Sequence, residues 1–127
     1  GYVPIVGKVA AGEPIFAAEN IEGMLAVDDS FVSTKKVFAL KVHGDSMVNA
    51  GIMDGDYVLA RRQHTAEPGE IAVFIVGEEI TVKRYDAKGD KVLLIPENDS
   101  YEVRSIRKNS PDLQIAGKVV GLMRKYN

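Results

Sequence analysis

The feature that most constrains this chain is the lack of any helical repeat. No window carries apolar residues at i, i+3, i+4 and i+7 for the ten or more residues that a packed helix needs. Short apolar or alternating runs recur instead, at Ile5–Val9, Val37–Val42, Tyr57–Ala60, Ile71–Val76, Ile80–Tyr85, Val92–Ile95 and Ile115–Met123. Each is bounded by turn-forming residues, which is the pattern of strands that bury one face. Asp54-Gly55-Asp56, Val76-Gly77-Glu78 and Lys88-Gly89-Asp90 predict tight connections between neighbouring antiparallel strands. The expected fold is mostly β, with curled antiparallel sheets or a partly open β-barrel. Helical content is expected only as short turns near Ser46 or Phe31. At 127 residues, 46% of them hydrophobic, the chain suffices for one core.

Charge narrows the function. Sixteen Lys and Arg against eighteen Asp and Glu leave a net charge of −2, without the basic excess that a nucleic-acid binder uses to neutralise phosphates. Direct DNA binding by this segment is therefore disfavoured. The sequence has no cysteine, so disulfides, thiolate-bound zinc and thiol catalysis are excluded. No run approaches the roughly 20 apolar residues of a membrane span, and the first residues lack the basic-then-apolar layout of a signal peptide. A soluble, cytoplasmic protein without a membrane partner is expected.

Few residues offer chemistry. His43 and His64 match no metal-ligand spacing, and Asp54-Gly55-Asp56 lacks the glutamate of a calcium loop, where Thr65 stands instead. Neither a metal nor a cofactor is expected. Ser46, in Gly44-Asp45-Ser46-Met47, follows an apolar strand-like run and is the candidate nucleophile. The G-x-S-x-G elbow fails because Val48 replaces the second glycine, and S-x-x-K fails because Asn49 lies three residues on. His43 is too near along the chain, and His64 has no signature around it, so a histidine-based triad is not supported. A serine paired with a lysine from a distant strand remains. The segment Val9-Ala10-Ala11-Gly12-Glu13-Pro14 reads as extended chain of small residues entering a turn, which is either a plain surface turn or a segment able to lie in a groove.

These segments together resemble a known family. Gly44-Asp45-Ser46-Met47, then Gly51-Ile52-Met53-Asp54-Gly55-Asp56, Thr81-Val82-Lys83-Arg84 and Leu94-Ile95-Pro96-Glu97-Asn98, are similar in kind and order to the self-cleaving domain of LexA-type repressors and their UmuD-like and phage-repressor relatives. Val6-Gly7-Lys8-Val9-Ala10-Ala11-Gly12-Glu13-Pro14 resembles the LexA cleavage-site segment. The resemblance implies a β-rich domain of the LexA C-terminal type with Ser46 as nucleophile, Lys83 as general base and Ala11-Gly12 as the scissile bond. It divides the chain into a cleavage segment, 1–20, and a catalytic and dimerisation domain, 21–127. It further implies a homodimer, a DNA-binding domain outside this sequence through which operator DNA is bound, and activation by the RecA–single-stranded DNA filament. Backbone N–H groups of Asp45, Ser46 or Met47 would supply the oxyanion hole.

The chemistry of those residues agrees with such roles. A serine hydroxyl needs a neighbouring base, and a lysine becomes one only when burial lowers its pKa. Strand alternation puts Lys83 on one face with Thr81 and Tyr85, opposite Ile80, Val82 and Arg84. A UmuD-like polymerase accessory protein would use the same pair. A non-catalytic β-barrel interaction module would leave Ser46 in a turn and Lys83 in solvent. A signal-peptidase-like enzyme would need a membrane anchor.

Overall fold

The computed structural model describes residues 1–10, 13–31 and 36–126. Among them nine strands form one sheet: β1 (Tyr2–Val6), β2 (Ile21–Ala26), β3 (Val37–Lys41), β4 (Tyr57–Arg62), β5 (Ile71–Val76), β6 (Glu79–Lys88), β7 (Lys91–Ile95), β8 (Arg104–Arg107) and β9 (Leu113–Met123). Their order across the sheet is β2-β1-β3-β4-β9-β5-β6-β7-β8. All neighbouring pairs run antiparallel except β1 and β3, which are parallel. Helical structure among the described residues is confined to three-residue turns at Ala18–Asn20, Asp29–Phe31 and Val48–Ala50. The mostly β expectation therefore holds.

Side-chain alternation divides the core. Val6, Phe38, Leu40, Val58, Ala60, Val73, Ile75 and Val82 turn to one side and merge into a central cluster that spans β1, β3, β4, β5 and β6. The alternate residues of β1, β3 and β4 (Val3, Ile5, Val37, Ala39, Leu59) form a second cluster, and Ala72, Phe74, Val92 and Leu94 form a third. β9 links the two halves, pairing with β4 on one side and β5 on the other, with a register shift on each. Gly117 lies where β9 comes closest: a Cβ there would stand 2.6 Å from the Arg61 carbonyl oxygen, so backbone contact itself demands glycine.

Two strands were not anticipated, β2 and β8, and both are sheet edges. An edge strand need bury few side chains, and here only Leu25 of β2 is fully buried and Ile106 of β8 half-buried. The apolar alternation that marks a strand is consequently weak in both. The first strand also ends earlier than the Ile5–Val9 run suggests. Gly7 leaves the sheet, donating its N–H to the Asn20 carbonyl, and Val9 packs into the central cluster from irregular chain.

The connection between β3 and β4 shapes the site. Residues 42–56 form a long loop closed at its base, where the Val42 N–H donates to the Asp56 carbonyl and the Gly55 N–H to the Val42 carbonyl. Met47 and Ile52 project inward, 2% and 5% exposed, and fasten the loop to the central cluster. Gly44 has a φ of +86° and donates its N–H to the Asp54 carboxylate across the loop. Ser46, beside the anchored Met47, is held half-exposed at the surface.

Candidate active site

Ser46 comes from the 42–56 loop and Lys83 from the middle of β6, and the fold brings them together across 37 residues of sequence. The Lys83 Nζ lies 3.1 Å from the Ser46 Oγ, 2.7 Å from the Thr81 Oγ1 and 3.1 Å from the Val82 carbonyl oxygen. Thr81 thus shares the face with Lys83, as alternation along β6 requires. Arg84 turns away and pairs with the Glu97 carboxylate and the Gly69 carbonyl. Ser46 and Lys83 both line an open cleft of about 350 Å³. Its wall includes Leu40, Val42, Ile80 and Val82, with Glu79 and Arg104 joined by an ion pair of 2.9 Å.

The surroundings determine the state of the amine. Burial of Lys83 among these side chains disfavours the ammonium and lowers its pKa below the ordinary 10.5. Glu79 opposes this shift, and Arg104 adds to it more weakly than burial does.

The whole arrangement falls within one matched region. Residues 4–120 match the peptidase S24-like family. This chain belongs to that family. Among curated proteins, this S24-like chain is 50% identical over 123 residues to a LexA repressor of Oleidesulfovibrio alaskensis, covering 96% of this chain and 58% of that protein. It is 45% identical over 123 residues to the LexA repressor of Caldicellulosiruptor saccharolyticus, covering 97% and 59%. With the LexA repressor of Clostridium tetani the identity is 43% over 125 residues, covering 98% and 60%. The S24-like chain therefore spans about six-tenths of the length of these relatives.

Ala11 and Gly12, the scissile pair expected from the sequence, lie outside the described residues. Ala10, Glu13 and Pro14 beside them are exposed, and the chain is anchored just beyond. Val9 and Ile15 are buried in the central cluster, and Phe16 meets the Phe38 ring edge-on at 5.2 Å, with the Arg62 guanidinium 3.3 Å above the Phe16 ring. The buried Asn20 amide donates to the Pro14 and Ile15 carbonyls. None of the described residues 8–10 or 13–17 lines the cleft that holds Ser46.

Of the three residues expected to offer oxyanion donors, Asp45 and Ser46 are held by a segment that the sequence reading did not connect with them, 97–101. The Glu97 N–H donates to the Ser46 carbonyl and the Asn98 amide to the Asp45 carbonyl. The Asn49 N–H donates to the Glu97 carbonyl, and the Tyr101 hydroxyl to the Asp45 carboxylate. Only the Leu94–Asn98 stretch carried a signal, through the family resemblance; some 50 residues of sequence conceal the contact itself. Met47, the third residue, is a core anchor. His43 lines the cleft, whereas His64 lies beyond β4 and does not. Among the described residues no cluster of His, Cys, Asp and Glu could hold a metal ion, and no helix is long and apolar enough to cross a membrane.

Proposed function

We propose that this chain is the self-cleaving C-terminal portion of a LexA-type transcriptional repressor, with Ser46 as nucleophile, Lys83 as general base and Ala11-Gly12 as the bond cut. The observation that carries the reading is the 3.1 Å contact between the Lys83 Nζ and the Ser46 Oγ, made by a lysine whose charge is disfavoured by burial. A neutral amine has two N–H bonds and one lone pair. With the N–H bonds donated to Thr81 and Val82, the lone pair faces the Ser46 hydroxyl and takes its proton as the oxygen attacks the Ala11 carbonyl. The resulting ammonium then delivers that proton to the leaving Gly12 amine, and water releases the acyl group from Ser46. The small side chains of Ala11 and Gly12 permit the close approach this requires.

In this reading cleavage separates the dimerising portion from a DNA-binding domain outside this sequence, and operator affinity falls because two half-sites are no longer engaged together. In this reading docking of the Ala11-Gly12 segment against Ser46 is the gate; Val9 and Ile15, which bracket that segment, are buried in the central cluster and do not line the cleft. The RecA–single-stranded DNA filament would act by favouring the docked state, without supplying catalytic groups. Docking also excludes water from Lys83 and lowers its pKa further. A UmuD-like role would use the same chemistry; the Val9–Pro14 context and the repressor relatives favour the repressor.

The test is the pH dependence of unassisted cleavage, read by mass from about pH 6 to pH 10.5, the span that brackets a lysine's titration. The first-order rate should rise with pH, with its midpoint below 10.5, because burial lowers the pKa of Lys83. Filament should accelerate the reaction most at the low end. A rate flat across the range would remove Lys83 as the base, and intact chain at every pH would favour the non-catalytic module. A homodimer is also expected, through the exposed apolar residues of the Gln114–Arg124 stretch, chiefly Val120 and Leu122. Sedimentation at tens of micromolar, the range of weak self-association, should show it, and a monomer throughout would count against it.

A further inference from the structure

Beyond the proposed dyad, the structure holds a clamp on the backbone of the nucleophile, and we propose that Asn98 is a positioning residue for it. This inference rests on the self-cleavage reading and adds to it the group that aims the Ser46 N–H. The physical basis is the planarity of the peptide unit. In a trans peptide the C=O and the N–H lie in one plane and point opposite ways, so whatever fixes the carbonyl fixes the amide. The Asp45 carbonyl and the Ser46 N–H belong to the same peptide. The Asn98 Nδ2 donates to that carbonyl at 2.9 Å, which sets the Ser46 N–H on the opposite side. In the next peptide the Ser46 carbonyl accepts from the Glu97 N–H at 2.8 Å. The serine is therefore gripped through the carbonyl before it and its own carbonyl.

Orientation has to come from such a grip because the loop offers little regular structure at this point. Ser46 precedes the 3-10 turn Val48–Ala50, and Gly44, two residues earlier, takes the left-handed conformation. The clamp itself is well braced. Asn98 is half-buried, and its Oδ1 accepts from the Ser100 N–H at 2.9 Å, which holds the amide group with its Nδ2 toward Asp45. Glu97 is fixed by its ion pair with Arg84 on β6, the residue next to Lys83. The Tyr101 hydroxyl binds the Asp45 carboxylate at 2.6 Å and holds the same residue from its side chain. Serine backbone and lysine strand are thus referenced to one segment. A backbone amide aimed at a developing oxyanion acts only if it is held in place before the reaction, and small misalignments of reacting groups are costly.

Two variants separate this role from others. Asn98→Leu removes the donor to Asp45 without adding charge. Asn98→Asp also removes that donor, yet keeps the acceptor for Ser100. The expected result is a fall of about ten- to a hundredfold in the limiting self-cleavage rate at high pH for both. In Asn98→Leu the midpoint of the pH–rate profile should stay where the parent has it, because Lys83 is untouched, and the thermal midpoint should move by only a few degrees. A fluorophosphonate probe should label Ser46 more slowly in both variants, which reads the nucleophile without requiring the cleavage segment to dock. Parent-like limiting rates would overturn the proposal. So would a loss confined to Asn98→Leu, since the Ser100 turn would then be the feature that matters, or a loss in Asn98→Leu accompanied by a shifted pH midpoint, since the effect would then run through Lys83. A parent that neither cleaves at any pH nor takes the probe would remove the dyad reading and this role with it, whereas a cleaving parent with unaffected variants would remove this role alone.

Discussion

Ser46→Ala should abolish self-cleavage, and Lys83→Met should do the same while unfolding at no lower temperature than the parent. A nucleophile and its base act as one unit, so removing either is expected to cost about 10⁴-fold or more in rate. The stability half follows from the sign of the lysine's shift. Burial holds the folded-state pKa of Lys83 below 10.5, so between the two values the unfolded chain binds more protons, and stability rises with pH across that window. Below it the folded state carries the full penalty of a desolvated ammonium. Methionine has a similar length and no charge, so it removes this penalty while still filling the space that the lysine side chain occupies at the cleft. Its advantage in thermal midpoint should be greatest near neutral pH and shrink as pH approaches 10.5. Mass analysis after alkaline incubation, with thermal melts at two pH values, checks both halves. Cleavage within tenfold of the parent in either variant would end the dyad assignment.

The parts of the molecule that the sequence discloses are those in which each residue's burial repeats along its own strand. β5 is an example: Ile71–Val76 is apolar throughout because both faces are covered, one by the central cluster and the other by Phe74's cluster. The edge strands β2 and β8 are buried too little to leave such a trace. Lys83 was legible in a different way. Alternation fixed which neighbours share its face, but only the family resemblance singled it out among the lysines, because burial by a loop 37 residues away leaves no mark on β6 itself. The Asn98 clamp leaves no such trace. Its contacts run from a side-chain amide to a backbone carbonyl about 50 residues away, and any backbone carbonyl would have served as acceptor, so no pairing of residue types announces it.

The largest effect on stability should come from Arg124→Ala. The Asp56 carboxylate is 1% exposed and accepts from the Arg124 Nε and Nη2, each at 2.8 Å, and from the Met53 N–H at 2.7 Å. Truncating the arginine leaves a buried charge with one donor and no counterion, which typically costs about 3 kcal/mol. For a domain of this size that amounts to a fall of roughly 10 °C in thermal midpoint. Asp56→Asn should cost less, because Arg124 is about one-third exposed and can turn to water. The hydrogen bond from Arg124 lowers the Asp56 pKa against the opposing effect of burial. A carboxyl depressed in the folded state contributes stability above its unfolded value near 3.8, and that contribution is lost as pH falls through the folded value. The gap between parent and Arg124→Ala should therefore be full at pH 7 and close in acid. Denaturation series at pH 7 and pH 3 measure it, and a gap equal at both would show that the ion pair is not its source. Well below its melting temperature the variant should still cleave within about tenfold of the parent's rate. Arg124 also donates to the Gly51 carbonyl on the far side of the Ser46 loop, but the bonds nearest the serine, from the Val42 N–H to the Asp56 carbonyl and from the Gly44 N–H to the Asp54 carboxylate, do not pass through it. Stability and catalysis then come apart in this one variant, as they should if Arg124 fastens the loop's base while Asn98 and Glu97 orient its serine.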